Sequence, residues 1–132
     1  MRMLIAEDDP IAQKLMAKYL SAHGECDIAV DGEEAIRAFR LAQKDNRLYD
    51  LVLMDIMMPN VNGQEALLKI REMEKNAGIV GSSEVKVIMT TALGDPKTVV
   101  ESYYKSGASS YLVKPVEKEK LLTELRNLGL IS

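Results

Sequence analysis

The sequence is poor in the residues on which several kinds of functional site depend. It contains one cysteine, Cys26, one histidine, His23, and no tryptophan. Because a single cysteine cannot form an internal disulfide, a reducing compartment is favoured, and we expect a cytoplasmic protein. The single histidine excludes metal sites built from several imidazoles and argues against a histidine-based catalytic triad.

The sequence also lacks long apolar runs and an excess of positive charge. No apolar run approaches the roughly 20 residues that a membrane helix requires. The acidic residues at 7–9 come too early for a secretory signal peptide. The formal net charge of −3 does not supply the basic face that nucleic-acid binding needs. We therefore expect neither a membrane nor a nucleic acid among the partners.

The residues that are present suit one globular domain. The chain has 132 residues, of which 47% are hydrophobic and 28% charged, and this is enough apolar material for a real core. The last helical pattern ends a few residues before position 132. We expect a single domain over 1–132.

Short β-type runs alternate with helical runs five times along the chain. The β-type runs lie at 2–6, 26–30, 51–54, 85–90 and 109–113, and the helical patterns at 10–23, 31–45, 63–75, 95–105 and 117–128. Five such units predict an α/β fold in which helices cover both faces of a parallel sheet. At this length we expect a doubly wound, flavodoxin-like (βα)5 fold with strand order 2-1-3-4-5.

Capping residues and apolar stripes support this assignment of strands and helices. Asp9, Asp31 and Asn62 stand at predicted N-caps, and Glu34 completes a capping box with Asp31. The run at 51–54 is apolar throughout, as expected for a central strand buried on both faces. On the first helix we expect an apolar stripe to face the core, formed by Ile11, Ala12, Leu15, Met16, Tyr19 and Leu20.

Polar groups follow four of the five predicted strands. Because parallel strands all end at the same edge of a sheet, these groups should meet there. They are Glu7, Asp8 and Asp9 after the first strand, Asp55 after the third, Thr90 and Thr91 after the fourth, and Lys114 after the fifth. Clustered carboxylates repel one another and recruit a cation, and oxygen ligands favour Mg²⁺ or Mn²⁺.

This set of groups suits phosphoryl transfer. A phosphoryl group at the sheet edge would meet a metal ion, an ammonium group and a hydroxyl group, which together position it and neutralise its charge. Asp55 is the candidate nucleophile because its strand is the most central. The product would be an aspartyl phosphate.

Four segments, AEDDP, LVLMDIMMPNVNG, VIMTTA and GASSYLVKPV, strongly resemble the receiver domain of two-component response regulators, including the single-domain chemotaxis type. The resemblance covers essentially the whole chain. It implies that Asp55 accepts a phosphoryl group, and that Glu7, Asp8, Asp55 and the backbone carbonyl of Met57 hold Mg²⁺. We align Glu7 and Asp8 with the metal-holding pair of the family because Asp9, followed by proline, suits a helix cap.

The same resemblance implies a switch. It makes Thr91 the hydroxyl that moves toward the phosphoryl group, Lys114 its cationic partner, and Tyr111 the aromatic whose rotamer follows Thr91. Pro115 matches a position at which the family has a cis peptide. The surface expected to change is formed by the predicted fourth helix, the fifth strand and the last helix.

The resemblance also implies the binding partners and the rate of self-dephosphorylation. The phosphoryl donor would be a histidine kinase or a histidine phosphotransfer protein. The target would be a separate output protein, unless the chain is a relay or a piece of a larger protein, and phosphorylation-dependent dimerisation stays open. In this family the residues two positions after the phosphoacceptor and after the switch hydroxyl line the path of the hydrolytic water. Here they are Met57 and Leu93, which are both apolar and predict slow self-dephosphorylation.

Two functions of other classes stay open. A phosphohydrolase of the haloacid-dehalogenase type also uses a strand-end aspartate, a threonine and a lysine. It requires a second aspartate where Met57 stands, and usually a cap domain. A phosphorylation-independent interaction module would keep the fold but tends to lose residues of the kind retained here. We expect a phosphoacceptor, not an enzyme, that assists only its own phosphorylation and dephosphorylation.

Overall fold

The sheet confirms the predicted topology. The computed structural model describes residues 1–92 and 107–132, and within them five parallel strands form one sheet in the order β2-β1-β3-β4-β5. The strands are β1 (Arg2–Ala6), β2 (Glu25–Ala29), β3 (Leu51–Asp55), β4 (Lys86–Thr91) and β5 (Ser110–Val113). Their ends differ from the predicted ends by one residue at most. Asp55 is thus the last residue of the central strand.

Four α-helices lie within the described residues: α1 (Pro10–Leu20), α2 (Gly32–Lys44), α3 (Gly63–Asn76) and α4 (Lys118–Asn127). The helix predicted at 95–105 lies outside the described residues. The prediction that the first helix continues to position 23 is wrong. After Leu20 the chain turns sharply, and Gly24 (φ +152°) lies against the Met1 carbonyl, where an added Cβ would be 1.9 Å from the carbonyl oxygen.

The predicted N-caps are confirmed by hydrogen bonds. The Asp9 carboxylate accepts from the Ile11 amide at 3.1 Å, and Asp31 accepts from the Glu34 amide at 2.8 Å. The Asn62 side chain accepts from the Glu65 amide at 3.0 Å. The capping box differs in one detail, because the Glu34 carboxylate accepts from the Val30 amide at 3.2 Å rather than from that of Asp31.

The core occupies both faces of the sheet, and all of β3 is buried. Helices α2 and α3 cover one face, and α1 and α4 cover the other. The predicted stripe of α1 is partly wrong, because Ile11 is 77% exposed and Leu15 40%. On a helix with 3.6 residues per turn, Ile11 stands about 140° from Met16, which is buried with Leu20. The buried side of α1 is therefore narrower than its apolar side.

A buried ion pair that the sequence analysis missed connects α3 to the β4–β5 side of the sheet. Glu74 is 1% exposed and accepts from Arg71 and from the Val85 amide, both at 2.7 Å. Arg71 also donates to the carbonyls of Val85 (2.8 Å) and Gly107 (2.9 and 3.1 Å). This network fixes the start of β4 and the chain just before β5.

A second polar cluster lies at the opposite edge of the sheet from the strand ends that carry the acidic residues. The Tyr49 hydroxyl donates to Asp27 at 2.6 Å, and the Arg2 guanidinium stacks 4.6 Å from the centre of the Tyr49 ring. Burial, and then the hydrogen bond and charge of Asp27, raise the pKa of Tyr49 to about 12. The ionised phenol is therefore disfavoured in the folded protein.

Tyr49→Phe is expected to lower stability at neutral pH by about 1 kcal/mol, because it removes a buried hydrogen bond. A pKa raised in the folded state contributes stability that is complete below the usual tyrosine value of 10.0 and is lost as the pH rises to about 12. The difference in free energy of unfolding between wild type and variant, measured by urea unfolding, should therefore narrow between about pH 10 and pH 12. A gap that is constant across this range would contradict the assignment.

Among the described residues, no helix is both long enough and apolar enough to cross a membrane.

Candidate phosphoacceptor and metal site

Three carboxylates meet at the carboxyl ends of the central strands. Glu7 directly follows β1, Asp8 comes next, and Asp55 ends β3. One oxygen from each lies within 4.8 Å of the others. Glu7 is 0% and Asp55 4% exposed, whereas Asp8 is exposed. The structure thus brings the three carboxylates together, as the strand-end argument predicts, and it buries two of them and leaves the third open to solvent.

Hydrogen bonds with β2, α1 and the loop between β1 and α1 hold Glu7 in this pocket. Its backbone amide donates to the Ala29 carbonyl at 2.9 Å, and its Oε2 accepts from the Asp9 amide at 3.0 Å. The Gln13 side chain donates to the Glu7 carbonyl at 2.5 Å. This role of Gln13 is not predictable from the sequence, in which its only signal is its place one turn into α1. Asp9 itself caps α1, which supports assigning Glu7 and Asp8 as the acidic pair.

Lys114 provides the positive charge of the site. Its Nζ donates to Asp55 Oδ2 at 3.0 Å and also to Glu7 Oε1. Burial lowers the pKa of Lys114, but the hydrogen bonds to Glu7 and Asp55 and their charges outweigh it, and the pKa lies above the usual value of 10.5. The ammonium form is therefore favoured. The Lys114–Pro115 peptide bond is cis, as the resemblance implied.

The predicted switch residues flank this pocket. Thr91 ends β4 and is 3% exposed, and its carbonyl accepts from the Lys114 amide at 2.7 Å. Tyr111 lies on β5 beside Met89 of β4 and is 45% exposed. One group is therefore buried at the site, and the other faces solvent on the neighbouring strand.

The loop after β3 is built closely around Asp55. The Met57 amide donates to Asp55 Oδ1 at 3.2 Å, and the Met57 side chain is 66% exposed. Gly63 begins α3 directly against this loop, and an added Cβ would lie 2.2 Å from the Asp55 carbonyl oxygen. Glycine at 63 is thus required by close backbone packing, a reason that the sequence does not reveal.

The donor set fits a hard divalent cation. All three side chains offer carboxylate oxygens, and no histidine or cysteine is in the cluster. Mg²⁺ and Mn²⁺ prefer oxygen ligands and usually keep several waters, which the exposed side of Asp8 allows. Two buried carboxylates share one ammonium group, so the pocket retains negative charge that a cation would balance.

Comparisons with known proteins agree with this geometry. A family model described as the response regulator receiver domain matches residues 3–126. Chemotaxis protein CheY of Treponema pallidum (strain Nichols) is 33% identical over 129 residues, covering 96% of this chain and 81% of that protein. Other curated relatives are longer: the chain spans 7% of one and about half of several others.

Solved structures are similar over nearly the whole chain. The CheX–CheY–BeF3–Mg²⁺ complex from Borrelia burgdorferi matches with a TM-score of 0.81 and 29% identity, covering 98% of this chain and 89% of that one. The complex of the Saccharomyces cerevisiae phosphotransfer protein Ypd1 with the receiver domain of Ssk1 matches with a TM-score of 0.83 and 28% identity, covering 98% and 88%.

The fold and the site define a class: a flavodoxin-like α/β signalling domain with an acidic, lysine-bridged pocket at its switch point. The chain belongs to the response regulator receiver domain family. It is a phosphorylation-dependent switch of two-component signalling, and receiver domains are signalling domains rather than conventional enzymes.

Proposed function

We propose that Asp55 is the phosphoacceptor and that the donor is a phosphohistidine on a histidine kinase or a histidine phosphotransfer protein. The observation that carries this proposal is the placement of the Asp55 carboxylate, 3.0 Å from the Lys114 ammonium and within 4.8 Å of Glu7 and Asp8 oxygens. Glu7 shares the carboxylate cluster and the Lys114 ammonium with Asp55, but of the three carboxylates only Asp55 ends the central strand, β3.

Glu7, Asp8, Asp55 and the Met57 backbone carbonyl would hold Mg²⁺ or Mn²⁺. When bound, the ion would neutralise charge on the transferred group. Asp55 then provides the oxygen that attacks phosphorus: a P–O bond forms, the P–N bond of the donor breaks, and the histidine leaves with the bonding electrons. Lys114 balances the charge that the new phosphoryl oxygens bring.

The phosphoryl group would then set the switch. Lys114 and Thr91 are drawn to its oxygens, and Tyr111 moves with Thr91, which changes the surface around β5 and α4. Moving an equilibrium from 1:99 to 99:1 requires about 5.5 kcal/mol of differential stabilisation. Several charge-assisted hydrogen bonds, each worth about 1.5–3 kcal/mol, are of the right size.

We further propose that residues 1–132 act as a single receiver domain that signals to a separate output protein. The comparison complex of Ypd1 with Ssk1 supports a phosphotransfer protein as the donor class. Whether phosphorylation also causes dimerisation can be followed by sedimentation of the phosphorylated and unphosphorylated forms.

The direct test is incubation of the wild-type chain with acetyl phosphate and Mg²⁺, followed by intact mass spectrometry. We expect one phosphoryl group per chain, lost when a chelator removes the metal beforehand. A phosphorylation-independent interaction module would take up neither metal nor phosphoryl group. Rapid, repeated hydrolysis of small phosphate esters would instead favour the phosphohydrolase alternative.

The phosphorylated form should decay slowly, because Met57 and Leu93 cannot orient a hydrolytic water. Met57 is 66% exposed beside the pocket, and Leu93 lies outside the described residues. Met57→Asn with Leu93→Glu should hasten decay about 10-fold or more, in the range of a water-positioning effect. The measurement is loss of phosphoprotein in Mg²⁺ after the donor is removed. An unchanged decay rate in the double variant would contradict this prediction.

A further inference from the structure

Thr90 carries a buried hydroxyl that the proposed mechanism does not use. The residue is 1% exposed, and its Oγ1 has no hydrogen-bond partner among the residues that the structure describes. A buried hydroxyl without a partner is costly, and native proteins rarely keep one. Valine would have the same shape without this cost. The presence of threonine therefore calls for a state in which the hydroxyl is bonded.

The strand register places Thr90 beside the phosphoacceptor. Thr90 of β4 pairs directly with Asp55 of β3 on one side and with Leu112 of β5 on the other. Directly paired residues of neighbouring strands point to the same face of the sheet, about 5 Å apart. The Thr90 side chain thus projects on the same face as that of Asp55.

Lys114 reaches Asp55 across the strand that holds Thr90. It stands two residues after Leu112, and β4 lies between β5 and β3. The Lys114 side chain must therefore cross β4 to bring its Nζ within 3.0 Å of Asp55 Oδ2. In the unphosphorylated protein Lys114 donates a hydrogen bond to Asp55 Oδ2, and the Met57 amide donates one to Asp55 Oδ1 at 3.2 Å. Both Asp55 oxygens already have donors, and the Thr90 hydroxyl has no acceptor in the part of the chain that the structure describes.

We infer that the Thr90 hydroxyl is a hydrogen-bond donor reserved for the phosphorylated form. This inference rests on the proposed function of Asp55 and Lys114. With the phosphoryl group on Oδ1, Asp55 Oδ2 carries no phosphorus and loses its ammonium donor when Lys114 is drawn to the phosphoryl oxygens. The Thr90 hydroxyl then donates to that oxygen. The bond exists in one state only, so its free energy favours the phosphorylated form.

The test compares Thr90→Val with Thr90→Ser, using beryllofluoride and Mg²⁺ as a stable mimic of the phosphoryl group. Without ligand, Thr90→Val should melt higher than wild type by a few degrees, because an unpartnered hydroxyl is removed. Its affinity for beryllofluoride should be weaker by about 5- to 30-fold, the size expected for one lost hydrogen bond. Thr90→Ser keeps the hydroxyl and should bind within about threefold of wild type.

Three results would overturn the inference. Unchanged beryllofluoride affinity in Thr90→Val would show that the hydroxyl has no role in the liganded state. A lower melting temperature of ligand-free Thr90→Val would show that the hydroxyl is already bonded at rest. Equal weakening in Thr90→Ser and Thr90→Val would assign the effect to the methyl group. Failure of the wild type itself to bind beryllofluoride with Mg²⁺ would instead refute the proposed function on which the inference rests.

Discussion

Asp55→Asn is expected to abolish phosphoryl incorporation, by at least about a hundredfold in initial rate. Asparagine has nearly the same volume but lacks the anionic oxygen that attacks phosphorus. The Lys114 ammonium keeps Glu7 as a partner in the variant, so the fold should survive. The measurement is phosphoprotein formed from acetyl phosphate and Mg²⁺, read by intact mass alongside the wild type.

Two neighbouring acidic residues provide matched controls. Asp9→Asn should leave phosphorylation within about twofold of wild type, because Asp9 caps α1 and asparagine caps equally well. Asp8→Asn should raise the Mg²⁺ concentration needed for half-maximal phosphorylation. If Asp55→Asn were phosphorylated like the wild type, Asp55 would not be the acceptor. If Asp9→Asn had the Mg²⁺ defect and Asp8→Asn did not, the acidic pair would be misassigned.

Lys114→Met is expected to destabilise the protein by about 3 kcal/mol, the usual effect of removing one partner from a buried ion pair. The variant leaves Glu7 and Asp55, which are 0% and 4% exposed, without the ammonium group that balances their charge. Urea unfolding at neutral pH measures this loss. Added Mg²⁺ should restore more stability in the variant than in the wild type, because the ion would balance the same carboxylates.

Lys120→Met is the matched control for this loss. Lys120 is 70% exposed and lies 3.9 Å from Glu117, so its replacement should change stability by less than about 0.5 kcal/mol. The double variant Lys114→Met with Asp55→Asn should lose less free energy of unfolding than the two single variants lose together, because one carboxylate no longer needs a partner. Equal stability of Lys114→Met and Lys120→Met would refute the buried charge network.

The convergence of the strand-end groups that the sequence predicted has a simple cause. Alternating strands and helices leave one plausible sheet order for a domain of this size, and parallel strands all end at one edge. Glu7, Asp55 and Lys114 each follow an apolar run, so their positions were predictable from periodicity alone. Once the chain adopts this topology, Lys114 and Asp55 are brought to the same edge, where Lys114 Nζ lies 3.0 Å from Asp55 Oδ2.

The buried polar groups show where this reasoning stops. Glu74 lies on an otherwise ordinary helical pattern, yet it is buried because Arg71 and the Val85 amide satisfy its carboxylate. A sequence does not reveal such partners, because they come from an element elsewhere in the chain. Ile11 shows the opposite error, since an apolar residue was assigned to the core and is 77% exposed.

The sequence by itself determined the fold class, the strand order and the set of groups at the sheet edge, because apolar periodicity and strand direction are local properties that the topology combines. Only the tertiary structure decided which carboxylates are buried, that Gly63 has no room for a side chain, and that the Thr90 hydroxyl has no hydrogen-bond partner within residues 1–92 and 107–132. Those facts depend on distances between residues remote in the chain, and such distances are set by packing.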